Sequence, residues 1–215
     1  MNLNNYDTVI FDYNGTIIDD VDSCLAIANV LLAAYDLPAL DKEGYLQAFC
    51  FPIEDYYRKI GLLEKGDFQE LAQRFITECE LREDDLHYFP DIPRVCGILR
   101  ELGKEEIILS ACQQDVLTAQ MQQLGLSEYF SEIIGIKDIY AAGKEDIALQ
   151  WRQANPDKRA LLLGDCDHDQ EIAELLGADC VLISRGHMAE DRLKQCGVPV
   201  FASVQAWLQS ALNEN

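Results

Sequence analysis

The sequence predicts an α/β fold, a parallel sheet with helices on both faces and a small all-helical segment inserted after the first strand. Three observations carry that prediction. Short apolar runs alternate with amphipathic stretches from Pro90 onward, the pattern of right-handed βαβ crossovers. An earlier apolar run, Val9-Ile10-Phe11, stands apart from them near the start of the chain. Between the two, from Ile18 to Asp85, the spacing is helical and no convincing strand occurs.

The first run, Val9 to Phe11, is β-prone and stops at Asp12. Asn14-Gly15 then supply turn chemistry, since Gly accepts positive φ and Asn tolerates it. Asp12 is therefore expected at the carboxyl end of a buried strand, on the rim where open α/β sheets bind ligands. Asp19-Asp20 can cap a helix that carries Val21, Leu25, Ala28, Leu31, Leu32 and Tyr35 on one face. It ends near Leu37-Pro38, because the residue before a proline avoids helical geometry. Further helices are expected over Lys42 to Phe49, Ile53 to Ile60 and Phe68 to Leu81. The alternation then begins with a helix from Asp91 to Leu102 and a strand over Glu106 to Ser110. A helix from Asp115 to Leu124, closed by Gly125, leads to a strand over Ile133 to Ile136. A helix from Lys144 to Asn155 and a run over Ala160 to Leu163 follow, the latter entering Gly164-Asp165. A helix to Leu176, strands over Cys180 to Ile183 and Val198 to Phe201, and a helix to Leu212 complete a Rossmann-like sheet. Residues 1–17 and 86–215 are expected to form the α/β core, and residues 18–85 a helical cap over its rim.

Composition narrows the function. The 49% hydrophobic content marks a globular chain able to bury a core. With 38 acidic against 17 basic residues, the formal charge of −21 repels nucleic acid and anionic membrane, so neither is an expected partner. An anionic substrate would need a local positive centre, a metal ion or a well-placed lysine. No apolar run approaches bilayer length, and Met1 to Asn5 lacks a signal peptide's basic and apolar regions, so a cytoplasmic protein is expected, with monomer and homodimer both open. The eight cysteines are scattered without a C-x-x-C pair, which suggests packed, reduced thiols.

Four polar groups fall at or just after strand ends: Asp12, Ser110, Lys144 and Asp165, with Asp169 four residues on. Singly, each has an ordinary structural role. Ser110 can cap a helix, a lysine at a helix start is usually solvated, and acidic residues suit a helix N-terminus. A carboxylate nucleophile, a hydroxyl, a lysine and an acidic cluster on one rim, in this order, suggest a common site.

These segments resemble the motifs of the haloacid dehalogenase superfamily of aspartate-nucleophile phosphatases, over essentially the whole chain. The family's D-x-D-G-T stands as Asp12-Tyr13-Asn14-Gly15-Thr16, and its strand ending in Ser or Thr as Ile107 to Ser110. Its helix-starting lysine is Lys144, and its G-D-x-x-x-D is Gly164-Asp165-Cys166-Asp167-His168-Asp169. Gly164 to Ala173 and Ser184-Arg185-Gly186-His187 look most like the phosphoglycolate-phosphatase-like branch. The resemblance implies that Asp12 attacks a phosphoryl group and forms an aspartyl phosphate. It implies a Mg²⁺ cofactor held by the Asp12 and Asp165 carboxylates and the Asn14 backbone carbonyl, with Asp169 as a further ligand or an orienter. It also implies phosphate contacts from Ser110, Ala111 and Lys144 beside Asp12, and a small phosphorylated metabolite as substrate.

One position departs from the family. The second aspartate, general acid and then base, is Asn14 here, and an amide performs neither transfer. Asn14 is read first as a native residue giving slow or leaving-group-selective activity. The alternatives are an engineered substitution that traps an intermediate, and a weakly catalytic phosphate-binding or regulatory protein. Arg58 and Lys59 are either contacts for an anionic substrate tail or part of a solvated face. His168 and His187 are either surface residues or, for His168, a substitute proton shuttle. A P-loop hydrolase is disfavoured because no G-x-x-x-x-G-K-[ST] occurs, and a receiver domain would carry no helical insert.

Overall fold

The computed structural model describes residues 2–82, 85–137 and 144–214. Its sheet contains β1 (Thr8–Phe11), β2 (Glu105–Gln113), β3 (Glu132–Ile136), β4 (Ala160–Gly164), β5 (Asp179–Ile183) and β6 (Val200–Phe201). All pair in parallel, in the order β3-β2-β1-β4-β5-β6. The first strand is central, and the chain winds outward on one side before crossing to the other. The reversal falls between β1 and β4, where a doubly wound sheet opens its ligand crevice.

Strand β1 is buried along its length, so its alternate side chains must satisfy two cores. Val9 and Phe11 pack with Leu117, Val181 and Trp207 on one face. Ile10 packs with Ala148, Trp151, Leu162 and Ile172 on the other. Helices α5 (Ile92–Glu101), α6 (Gln114–Gln123) and α10 (Val204–Asn213) contribute to the first core, and α7 (Glu145–Ala154) and α8 (Asp167–Leu176) to the second. Each fully buried Leu, Ile or Phe contributes about 1.5–3 kcal/mol, so two filled faces fix β1 beneath the residue that follows it.

Helices α1 (Val21–Ala33), α2 (Lys42–Ala48), α3 (Ile53–Lys59) and α4 (Phe68–Glu80) gather a third apolar cluster around Leu31, Tyr45, Tyr56, Leu62 and Leu71. Asp41 caps α2 by accepting from the Gly44 amide at 2.7 Å, and Asp67 caps α4 by accepting from the Gln69 amide at 2.9 Å. The two crossings between this segment and the sheet run side by side. The Phe89 amide donates to the Ile17 carbonyl and the Asp19 amide to the His87 carbonyl, both at 2.9 Å. A short helix α9 (Glu190–Leu193) holds α2 from the sheet side. There Arg192 donates to the carbonyls of Gln47 at 3.1 Å and Phe49 at 2.6 Å. Among the described residues, no helix is long and apolar enough to cross a membrane.

The structure departs from the sequence expectation at four places. Strand β2 runs through Ser110 to Gln113, with a shift of register against β3 after Leu109. Gly135 permits it, since a Cβ there would press on the Cys112 carbonyl. The last strand shrinks to Val200–Phe201, beyond Pro199, which has no N–H for a ladder. Helix α9, at four residues, is too short to show periodicity. Finally, Asp20 precedes α1 but makes no side-chain bond to that helix's amides. Its carboxylate is engaged elsewhere.

On β2, Glu106 is buried beside Cys96, with one carboxyl oxygen lacking a partner among the described residues. Burial pushes its carboxyl from 4.5 up to about 7, against a smaller opposing hydrogen bond from Cys96. The folded state keeps this proton across an interval in which the unfolded chain has already released it, so stability falls as pH rises from about 4.5 to 7. Glu106→Gln is therefore expected to add about 2–3 kcal/mol at pH 8 relative to its effect at pH 4.5. Chemical denaturation of both proteins at the two pH values checks this; an equal effect at both would contradict it.

Candidate active site

Asp12 leaves the end of β1 with its amide donating to the Leu163 carbonyl at 2.8 Å, which places it beside the end of β4. The chain then turns at Gly15, whose φ of 71° lies in the left-handed region. The turn lies directly over Asp165, and a Cβ at Gly15 or at Gly186 would collide with the Asp165 carboxylate. Two glycine segments thus close on one carboxylate, which accepts from the His187 amide at 2.5 Å.

Lys144 precedes α7 and is 2% exposed. Its Nζ donates to Asp12 Oδ1 at 2.5 Å, Asp169 Oδ1 at 2.6 Å and the Leu109 carbonyl at 3.3 Å. The other Asp169 oxygen accepts from the amides of Asp165 at 2.9 Å and Cys166 at 3.1 Å. Asp169 therefore spends both oxygens within the chain, capping α8 and aiming Lys144 at Asp12. That arrangement suits an orienting role, and Asp169 also lies within ligand distance of Asp165 and Cys166, so the ligand role read for it stays open.

The electrostatics follow from crowding. Burial pushes Asp12 up to about 6, with the Lys144 ammonium opposing it and Asp169 adding to it. Burial, together with Asp12 and Asp169, pushes the Asp165 carboxyl well above the usual carboxylate range, and His187 only partly offsets this. Burial opposes ionisation of Asp169, but Lys144 holds its carboxyl below the ordinary value. Lys144 is itself raised by Asp12 and Asp169 against burial, so it stays protonated.

Two residues outside the expected set complete the site. Asp20 accepts from the Asn14 side-chain amide at 2.7 Å, the Gly15 amide at 3.0 Å and His187 Nε2 at 3.0 Å. Burial alone would raise Asp20, but the His187 charge and these donors hold it low. His187 is correspondingly raised to about 9, Asp20 overcoming the effect of burial, and is an imidazolium near neutral pH. Its Nδ1 meets the Tyr45 hydroxyl oxygen at 2.8 Å, so α2 is tied to the turn after β1 through a buried ion pair. The acid before α1 and the Ser184-to-His187 segment were visible in the sequence. No spacing rule joins residues so far apart.

A cavity of about 230 Å³ opens onto Asp12, Asn14, Ser110, Ala111, Asp165 and His187. Five of the expected site residues therefore share one space, with Lys144 bonded to Asp12 and Asp169 bonded to Lys144. Ser110 Oγ accepts from the Cys112 amide at 3.0 Å, which leaves its proton for another acceptor. His168 is not in the cavity wall. It stacks on Phe51, with ring centroids 5.0 Å apart, and lies 3.3 Å from Glu171. Arg58 pairs with Glu54 and Asp55 on the exposed side of α3, and Lys59 is also exposed, so both take the solvated alternative. The eight cysteines are free thiols.

The donor set suits a hard divalent cation. Asp165 offers a buried carboxylate and Asp12 a half-buried one to the same cavity, with no thiol or imidazole ligand required. Burial raises both carboxyls, and a cation between them would favour their charged forms.

Comparison with known proteins agrees with this geometry. A family model described as haloacid dehalogenase-like hydrolase matches residues 9–183. A phosphoglycolate phosphatase of Caulobacter vibrioides is 28% identical over 204 residues, covering 85% of this chain and 81% of that one. Another, of Synechococcus elongatus, is 24% identical over 180 residues, covering 83% and 84%. The crystal structure of a predicted phosphatase from Clostridium acetobutylicum superposes with a TM-score of 0.80 at 16% identity, covering 97% of this chain and 99% of that one. With the family model spanning both the Asp12 turn and the Asp165 loop, the chain belongs to the haloacid dehalogenase-like hydrolase family.

Proposed function

We propose that this hydrolase is a Mg²⁺-dependent phosphatase that cleaves a small phosphate monoester through an aspartyl phosphate on Asp12. The observation that carries this reading is the buried Asp12–Lys144 pair facing a cavity shared with Ser110 and Asp165. With a carboxyl near 6, Asp12 is ionised at neutral pH and can attack phosphorus. The Asp12 oxygen–phosphorus bond forms as the bond to the leaving oxygen breaks. Water then attacks phosphorus, the acyl phosphate bond breaks, and inorganic phosphate leaves. The Ser110 hydroxyl and the Ala111 amide donate to phosphoryl oxygens, and Lys144 offsets the charge gathered at Asp12. Asp12, Asp165 and the Asn14 carbonyl would hold Mg²⁺, which supplies charge neutralisation on the phosphoryl group. Asp169 positions Lys144.

Asn14 carries no transferable proton, and its amide is occupied by Asp20. The leaving oxygen therefore departs as an anion, and activated esters are favoured. Residues 18–85 serve as the cap that excludes water, on the core made of residues 1–17 and 86–215. The second reading, a phosphate-binding protein with little turnover, also draws on Asn14. Release of p-nitrophenol from p-nitrophenyl phosphate separates the two. Hydrolysis is expected with Mg²⁺ and is expected to vanish in excess chelator and in Asp165→Asn. Undiminished hydrolysis in chelator would contradict the metal assignment.

A further inference from the structure

Resting on the phosphatase reading, we propose that the substrate is an aryl phosphate monoester without a second anionic group, its ring seated in the aromatic part of the active-site cavity. The wall beyond Asp12 and Ser110 is built from Phe49, Phe51, Tyr56, Tyr57, Phe68 and Phe75, with Ile53 and Ile76 between them. Such a wall offers edge-to-face and stacked contacts to a ring, and to a charged group little beyond the Tyr56 hydroxyl, which has no partner among the described residues.

The charge pattern excludes a carboxylated leaving group. Burying a carboxylate requires a cationic or strongly donating partner. Among the described residues, no lysine or arginine lines the cavity. Its one imidazolium, His187, has both nitrogens committed, to Asp20 and to Tyr45. Gln113 and Gln120 are neutral amides. In the helical segment, Arg58 and Lys42 are held in exposed pairs with Asp55 and Asp22, and Arg82 is paired with Glu78.

Size and chemistry converge on the same class. The cavity, at about 230 Å³, exceeds the ~150 Å³ that accepts a benzene ring, so a single ring fits beside the phosphoryl group. A phenol ionises near pH 10, far more readily than an aliphatic alcohol, so its oxygen departs without the acid that Asn14 lacks. The relatives named phosphoglycolate phosphatase act on an ester whose organic part is a carboxylate. This wall is not matched to it.

Calorimetry of the wild-type protein in Mg²⁺, with benzylphosphonate against 3-phosphonopropionate, measures the preference without turnover. Benzylphosphonate is expected to bind roughly 10- to 100-fold more tightly, the gain from burying one ring. Ile76→Arg, at a half-buried wall position, is expected to cut that ratio at least tenfold by supplying a cation, with circular dichroism confirming the fold. Equal or tighter binding of 3-phosphonopropionate by the wild type would overturn the proposal. Hydrolysis of phenyl phosphate, measured alongside, keeps the two readings separate. Hydrolysis with preference for the carboxylated ligand sinks the aryl assignment alone. Preference for benzylphosphonate without any phenyl phosphate hydrolysis overturns the substrate role and the phosphatase reading together, while identifying a ring-binding pocket.

Discussion

Asp12→Asn is expected to lower phosphate ester hydrolysis by a factor on the order of 10⁴ or more, the scale of loss when a covalent nucleophile is removed. An amide oxygen is neutral and far less nucleophilic than the carboxylate oxygen of Asp12. The change is nearly isosteric, and Lys144 retains Asp169 as a partner, so the buried ammonium is not left unpaired. The protein should therefore fold, and a thermal melt checks that it does. Steady-state rates in Mg²⁺ read the loss. A variant that keeps more than a tenth of wild-type kcat would place the nucleophile elsewhere.

Asn14→Asp is expected to raise kcat on alkyl phosphates by roughly 10²–10⁴-fold, with a much smaller gain on aryl phosphates. The asymmetry is the informative part. An alkoxide leaves only with a proton, whereas a phenolate leaves without one. The structure adds a reason to expect a working acid, because position 14 lies against the Asp20 carboxylate. Two carboxyls so close cannot both ionise freely, and one would keep its proton near neutral pH. Rates across esters of graded leaving-group acidity test this. The wild-type series should be steep and the variant's shallow; a flat wild-type series would mean that another group already supplies the proton.

How far the sequence reveals this molecule depends on whether a feature is local. Val9 to Phe11 halts at a carboxylate followed by Asn-Gly, and period and turn chemistry lie within one stretch, so the rim position of Asp12 is legible. The same holds for Ala160 to Asp165, and for a parallel sheet inferred from alternation. The four motifs also place Ser110, Ala111 and Asp165 in one cavity, because strand ends on the same edge of a sheet must converge. What escapes is pairing across distance. Asp20 reads as a helix cap because Asp before an amphipathic run usually is one, yet it is drawn to His187, far along the chain. The aromatic wall reads as a helical core, since Tyr56, Phe68 and Phe75 also satisfy helical spacing. Only the third dimension shows that some of these rings face an opening. The extension of β2 beyond Ser110 depends on Gly135 in a neighbouring strand, which no local pattern encodes.

Acid-quench mass spectrometry shows whether the Asp12 carboxylate takes the phosphoryl group. The wild-type protein is mixed with phenyl phosphate and Mg²⁺, quenched in acid within the first turnovers, digested and sequenced by fragmentation. A phosphoryl adduct is expected on the peptide containing Asp12, absent from the Asp12→Asn protein. Continued phenol release with no adduct at Asp12, or with the adduct on another residue, would contradict it.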